Sequence, residues 1–358
     1  MNALGEEIAR EIEREGPMTL ARFMELALYA PGRGYYEGRR QIGRHGDFYT
    51  SVSVGSVFGE LLAFESGAWL QEFPKPVLIE AGAHDGRLAA DILSWTEQFY
   101  PKLFARLEYW LVEPSPARRQ WQKETLKRWG LKARWLATID ELPHKSVDGV
   151  IFSNEFLDAF PVHRLAWSAT EKKWREWHVI VEGDKLAWQL GSLSMDAASQ
   201  APKVAADLAA ALPDQYAMEI SPAALAWWRK AAERLRNGRL LTIDYGLTEE
   251  ELFRPERREG TLRGYAGHRD VDDLLDNPGG QDLTAHVHFT ALAKASGLQT
   301  YALYTQEKFF TMIFAGAQKA PESFPPWTEQ RLRQFKTLVH PQLFGRTFRV
   351  FVQRKEAH

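Results

Sequence analysis

The sequence predicts an α/β fold in which a parallel sheet carries helices on both faces. Three observations point there. Short apolar runs at Val77–Glu80, Tyr109–Glu113, Ala133–Leu136 and Val147–Phe152 alternate with longer stretches of helical periodicity. Two of the runs, at Glu80 and Glu113, end on an acid. The first is followed directly by glycines at 82 and 86. Strands separated by helices pair in parallel, because each helical crossover returns the chain to the same end of the sheet.

Along the chain, residues 3–30 place Ile8, Ile12, Leu20, Phe23, Met24, Leu26 and Ala27 at helical spacing, with Gly16-Pro17 dividing two helices. A Gly- and Arg-rich loop from Gly32 to Gly46 follows, and a helix is expected from about Val54 to Phe73, stopped by Pro74. Helices are then expected from Gly86 to about Tyr100 and, opened by Pro114-Ser115, to Trp129. A fifth core strand, Leu240–Asp244, comes only after residues 154–238, too long a stretch for one crossover. That stretch reads as an inserted substrate or lid subdomain of mixed α and β character. It has a hairpin over 174–191 turning at Glu182-Gly183-Asp184 and helices near 197–211 and 222–236. Pro255 to Gly267 reads as a basic loop, and late strands are expected at 298–304 and 347–353. The expected division is an N-terminal helical region (1–74), a core (75–153 with 239–358) and the insert (154–238).

Composition narrows the function classes. A formal net charge of -2 gives no global field to draw the chain to nucleic acid or to an anionic membrane. With no cysteine, a disulfide, a thiolate nucleophile and a cysteine-type zinc site are all excluded. His286 and His288 would share a strand face but bring no acidic third ligand, so no metal site is expected. The acidic start at Glu6-Glu7 does not fit a secretory or mitochondrial leader, and no run approaches the ~20 apolar residues of a membrane span. A cytoplasmic location is the expectation. The sequence sets no oligomeric state.

The strand-end acids carry the chemistry. In sheets of this kind, ligands bind beyond the carboxyl ends of the strands. Glu113, closing the second strand, is placed to accept hydrogen bonds from ribose hydroxyls. The loop Glu80-Ala81-Gly82-Ala83-His84-Asp85-Gly86 lacks the Gly-x-Gly-x-x-Gly spacing that seats a pyrophosphate. An acid at 80 would repel pyrophosphate, whereas it suits the cationic amino-acid end of S-adenosyl-L-methionine. The loop therefore favours that cofactor over a nicotinamide dinucleotide, with a ligand-free strand-turn-helix as the bland competitor. Asp140, after the third strand, would lie near the adenine. At the end of the fourth strand, Ser153-Asn154-Glu155-Phe156-Leu157-Asp158-Ala159-Phe160-Pro161-Val162-His163 could grip a nitrogen, or could simply be a helix start capped by Asn154.

That last segment resembles the hallmark of the MidA family of S-adenosylmethionine-dependent protein arginine methyltransferases. Further stretches agree: Gly46-Asp47-Phe48-Tyr49-Thr50-Ser51, Ile243-Asp244-Tyr245-Gly246, Gly260-Thr261-Leu262-Arg263-Gly264-Tyr265 and Gln281-Asp282-Leu283-Thr284-Ala285-His286-Val287, with Phe23 to Tyr36 matching the N-terminal signature. The resemblance implies a Rossmann-like class I methyltransferase sheet, S-adenosyl-L-methionine as cofactor and a protein substrate methylated on a side chain, arginine in this family. It implies that Thr50 and Ser51 border the cofactor and that Glu80, Gly82 and Gly86 surround its methionine end. Glu113 would hold the ribose, while Asn154, Glu155 and Asp158 face the methyl acceptor. The chain departs from the family pattern at Ala83-His84-Asp85, where the family loop carries Pro-Gly-Arg, and at Val52-Ser53-Val54-Gly55. Those departures motivate the alternative of a catalytically decayed assembly factor that binds a partner protein.

Overall fold

The computed structural model describes residues 1–38, 50–267 and 269–356. The Gly46–Tyr49 part of the family-like N-terminal stretch lies outside the described residues. Contacts divide the chain into two compact units, one formed by Met1–Gln41, Asp158–Ala226 and Leu247–Ala291, the other by Ile42–Leu157, Trp227–Gly246 and Leu292–His358.

The second of these is the Rossmann-like unit. Its core strands are β1 (Val77–Ala81), β2 (Glu108–Val112), β3 (Ala133–Leu136), β4 (Val147–Asn154), β5 (Leu235–Leu247), β6 (Gln299–Thr305) and β7 (Phe348–Lys355), in the spatial order β6-β7-β5-β4-β1-β2-β3. The pairings β5–β4, β4–β1, β1–β2 and β2–β3 are parallel, and β7 runs antiparallel to both β5 and β6. The inner strands are buried on both faces, which is why they read as continuous apolar runs rather than alternating ones: Leu78, Ile79, Val150, Ile151, Leu240, Leu241 and Ile243 are all enclosed. Register brings Ala81 opposite both Val112 and Ser153, so the carboxyl ends of β1, β2 and β4 finish in one row. Strand order reverses between β1 and β4, and a crevice is expected there.

Helices Val57–Leu70, Arg87–Phe99 and Pro116–Thr125 flank this sheet. The first is apolar nearly all round, as a helix enclosed by its neighbours must be. It belongs to the same hydrophobic core as Leu88, Ile92 and Leu93 of the second. Ser115 caps the third, its side chain accepting from the Arg118 N–H, with Pro116 at the first helical position. Two C-terminal helices, Gln306–Lys319 and Glu329–Val339, complete the unit.

The other unit centres on an antiparallel sheet ordered Met18–Thr19, Lys173–Glu182, His163–Ser168, Ala217–Ile220, with Lys185–Gly191 added to the Lys173–Glu182 strand. The hairpin turn at Gly183-Asp184 is where the sequence places it. Pro202 splits the expected 197–211 helix into Met195–Gln200 and Ala206–Ala211, since proline clashes with the preceding turn. A three-stranded sheet of Arg263–Ala266, Arg269–Val271 and Asp282–Thr284 replaces part of the expected basic loop.

The division thus runs elsewhere than 1–74, 75–153 with 239–358, and 154–238. Met18 pairs with Val179 and Thr19 with His178, so the first N-terminal segments join the insert. The Val57–Leu70 helix joins the core through its apolar surface, and residues 247–291 leave the core for the insert's unit. No helix among the described residues is long and apolar enough to cross a membrane.

Candidate active site

At the carboxyl ends of β1 and β4 lies a cleft with an empty volume of about 580 Å³, including open solvent at its mouth. Thr50, Val52 and Ser53 line one side, Glu80, Gly82, Ala83, His84, Asp85, Arg87 and Leu88 the second, and Asn154 and Glu155 the third. Four of the residues singled out in the sequence for the cofactor or the acceptor therefore meet here in addition to Thr50: Glu80, Gly82, Asn154 and Glu155.

Glu80 is 3% exposed and accepts a hydrogen bond from the Tyr109 hydroxyl at 2.5 Å. Burial pushes its pKa up to about 8; the Tyr109 bond offsets part of the shift, while Asp85 and Asp91 add to it. Among the described residues no cation stands against it, so a cationic group brought beside it would favour the ionised form. Asp85 is half-buried, which alone would raise it, but His84 and Arg87 outweigh that and hold it low. Arg87 Nε lies 2.8 Å from its Oδ2.

Between these acids the chain turns through the left-handed region three times, at Gly82 (φ 74°), His84 (φ 45°) and Gly86 (φ 84°). A Cβ on Gly82 would stand 2.5 Å from the Phe156 ring, so this glycine is required both by its φ and by the loop packed over it. His84 keeps a glycine-like conformation despite its side chain, and its buried Nε2 has no hydrogen-bond partner among the described residues. Gly86 does not line the cleft; it precedes the Arg87–Phe99 helix.

On the β4 side, Glu155 adopts φ 48°. Its Oε1 accepts from the Ser51 backbone N–H at 3.2 Å and from the Asn154 amide at 3.0 Å. Ser51 is thus placed behind the lining rather than in it, fully buried with its hydroxyl against Gln306. Asn154 Oδ1 is buried and has no partner among the described residues.

Three further residues stand apart from the cleft lining. Glu113 is 2% exposed, and its carboxylate accepts from Ser115 N and Arg118 Nε, both at 2.9 Å, and from Gln122 Nε2 at 3.3 Å. Gln122 also donates to the His84 carbonyl at 3.0 Å, so this acid reaches the glycine turn through an amide. Asp140 is bonded to Lys230 and Arg234 at 2.6 and 2.7 Å and is substantially exposed. Asp158 falls in the other unit, 6% exposed, its carbonyl accepting from Ala285 N. The sequence reading missed Asp244, whose carboxylate takes the N–H groups of Phe156 and Leu157. Its place in the Ile243–Gly246 stretch, at the end of a core strand, was the available signal. His286 belongs to the other unit; burial, with Arg257 and Arg263, pushes its pKa down to about 4.

Residues 61–304 match a family model described as "Putative S-adenosyl-L-methionine-dependent methyltransferase". The chain belongs to this methyltransferase family. The family's Danio rerio relative, "Protein arginine methyltransferase NDUFAF7, mitochondrial", is 28% identical, covering 96% of this chain and 85% of the relative. The Xenopus tropicalis relative of the same name is 30% identical, over 86% and 74%, and the Homo sapiens one 28%, over 95% and 81%. A crystal structure of a COG1565 superfamily member from Burkholderia thailandensis, bound to S-adenosyl-homocysteine, superposes with a TM-score of 0.85. It has 28% identity over 99% of this chain and 92% of that one. These findings bear out the MidA-family resemblance, the class I methyltransferase fold and S-adenosyl-L-methionine as the cofactor of the family. They correct the expected cytoplasmic location: the relatives are named as mitochondrial proteins. An acidic N-terminus and the lack of a long apolar run are not sufficient to assign a compartment.

The residues present fit that cofactor. Among the described residues, Glu80 with no cation against its buried carboxyl, the glycine turn at Gly82, and Asn154 with no partner for its Oδ1 all line the cleft beyond β1 and β4.

Proposed function

We propose that this methyltransferase acts on the guanidinium of a protein arginine, with Glu155 as the residue that orients the acceptor. The observation that carries the reading is the Glu155 carboxylate, held by Ser51 N–H and Asn154 at the wall of the cleft that also contains Glu80 and Gly82. The arginine acceptor rests on the names of the relatives and on chemistry. A guanidinium stays protonated in proteins and presents a planar fork of donors, which a carboxylate binds and aligns. Bound cofactor supplies an electrophilic methyl group. Glu155 would turn one guanidinium nitrogen toward that methyl, and no strong base is needed because the proton can leave after attack. Alignment of this kind is worth up to roughly 7–11 kcal/mol of barrier.

On the cofactor side, Glu80 would take the ammonium of the methionine end, with Thr50 and Gly82 beside it. Ser51, Gly86 and Glu113 would act from behind the lining, the last through Gln122. Asn154 Oδ1 would accept from the cofactor or from the substrate.

The test is an array of arginine-containing peptides incubated with methyl-labelled S-adenosylmethionine, with methylarginine identified after acid hydrolysis. The Glu155→Gln variant should lose about 10²–10³-fold in turnover while binding S-adenosyl-homocysteine as the parent does. Label on another residue type would sink the arginine acceptor, and undiminished turnover in the variant would sink the role of Glu155.

A further inference from the structure

The turn that presents Glu155 is built on a single buried carboxylate. Phe156 N and Leu157 N donate to Asp244 Oδ2 at 3.2 and 2.9 Å, and Tyr245 N donates to Oδ1 at 3.0 Å. Asp244 has no exposed surface. One residue earlier, Glu155 N donates to the Ile243 carbonyl at 2.9 Å, so the β4–β5 ladder continues to the point where the chain enters its left-handed turn.

Side chains from that turn serve both halves of the site. Glu155 sends its carboxylate to Ser51 and Asn154. The Phe156 ring covers Gly82, occupying the space a Cβ there would need, and packs edge-on against Trp227 at 5.1 Å. The Phe156 ring is thus held by its own packing, and the Glu155 backbone relies on the hydrogen bonds at its carboxyl side.

The residue type matters. Three N–H groups converge on Asp244, and a carboxylate offers acceptor lone pairs on both oxygens with no donor of its own. An asparagine at that place would present its own NH₂ to one of those donors. Burying a carboxylate is costly, and a neutral hydroxyl or amide would suffice if only one N–H needed a partner.

We propose that Asp244 is a positioning residue for methyl transfer, holding Glu155 where its carboxylate can orient the acceptor. The proposal rests on the reading of Glu155 as the residue that orients the acceptor.

The test compares Asp244→Asn, Glu155→Gln and the double variant in the full chain, using the arginine peptide that turns over best in the array. Asp244→Asn is expected to lower kcat about tenfold or more, with KM for S-adenosylmethionine and Kd for S-adenosyl-homocysteine changed less than about threefold. Amide hydrogen exchange over residues 155–158 should quicken by about tenfold. In the Glu155→Gln background, Asp244→Asn should add less than about a twofold further loss, because the two act as one unit. Full kcat in Asp244→Asn overturns the proposal. So does a loss that multiplies unchanged in both backgrounds, or one that falls on cofactor binding and spares kcat. If Glu155→Gln alone keeps full turnover, it is the reading of Glu155 that has failed, and the positioning role falls with it. Should Asp244→Asn not fold, Asp244→Glu keeps the charge and displaces the acceptor by one methylene. It is then expected to lower kcat at unchanged Kd, and an unchanged kcat overturns the proposal.

Discussion

Replacing Glu80 by glutamine should pull the stability and the cofactor affinity of this methyltransferase in opposite directions. Glutamine keeps the shape and can still accept from the Tyr109 hydroxyl, but it removes the charge. Burial moves the Glu80 pKa from 4.5 to about 8, a difference worth on the order of 4–5 kcal/mol between ionised and neutral forms, taken as an upper bound. The folded-state pKa is raised, so the folded protein holds a proton that the unfolded chain has already lost. The stability attached to that proton is fully present below pH 4.5, falls as pH climbs toward 8, and is gone above it. The variant has no such loss. Its melting temperature should match the parent near pH 4 and exceed it by roughly 5 °C near pH 8.5.

Binding should respond the other way. A ligand ammonium favours the ionised carboxylate, so parent protein should release a proton on binding, and affinity should rise up to about tenfold per pH unit between pH 6 and 8. Loss of one charge-assisted contact costs about 1.5–3 kcal/mol, or about 10–150-fold in Kd. The assay is calorimetric titration with S-adenosyl-homocysteine in buffers of different ionisation enthalpy, beside thermal melts of the ligand-free proteins from pH 4 to 9. Parent affinity that stays flat from pH 6 to 8.5, together with undiminished binding by the variant, would refute the assignment of Glu80 to the ammonium.

Two other substitutions separate packing from chemistry. Gly82→Ala puts a Cβ 2.5 Å from the Phe156 ring at φ 74°, and should destabilise the fold by about 1–3 kcal/mol, read from urea melts. Asp140→Ala removes a partly exposed partner of Lys230 and Arg234. It should cost under about 1 kcal/mol and leave S-adenosyl-homocysteine affinity unchanged; a tenfold loss of affinity would return Asp140 to the adenine site.

The core sheet was legible because its strands are enclosed on both faces, which leaves a continuous apolar run that no amphipathic helix produces. The second unit was only partly legible. Its hairpin announces itself through Gly183-Asp184, a local signal. The pairing of Met18–Thr19 with His178 and Val179 joins residues far apart in sequence, and a two-residue strand carries no periodicity. For the same reason, the contribution of the first 30 residues to that unit could not be read from helical spacing, which reports that a face is buried and not what buries it.

Glu80 and Glu113 show where reading of the site stops. Both are acids at the carboxyl ends of neighbouring parallel strands, and by sequence their claims on a ligand are equal. In the folded chain Glu80 meets a neutral hydroxyl, whereas Glu113 meets the Arg118 guanidinium, a backbone N–H and an amide. The difference is set by which face of the Pro116–Thr125 helix turns inward. In that helix the inward residues are Arg118 and Gln122, polar positions that a hydrophobic pattern assigns to solvent. Asp244, named in the sequence only as the end of the fifth strand and part of a family-like stretch, was not assigned to the site for the converse reason. An aspartate ending a strand reads as a local cap, and its reach across to residues 156 and 157 exists only because β4 and β5 are neighbours in register. Strand-end acids mark a site from sequence, but whether each is spent on the protein or left for a ligand is decided by the elements packed beside it.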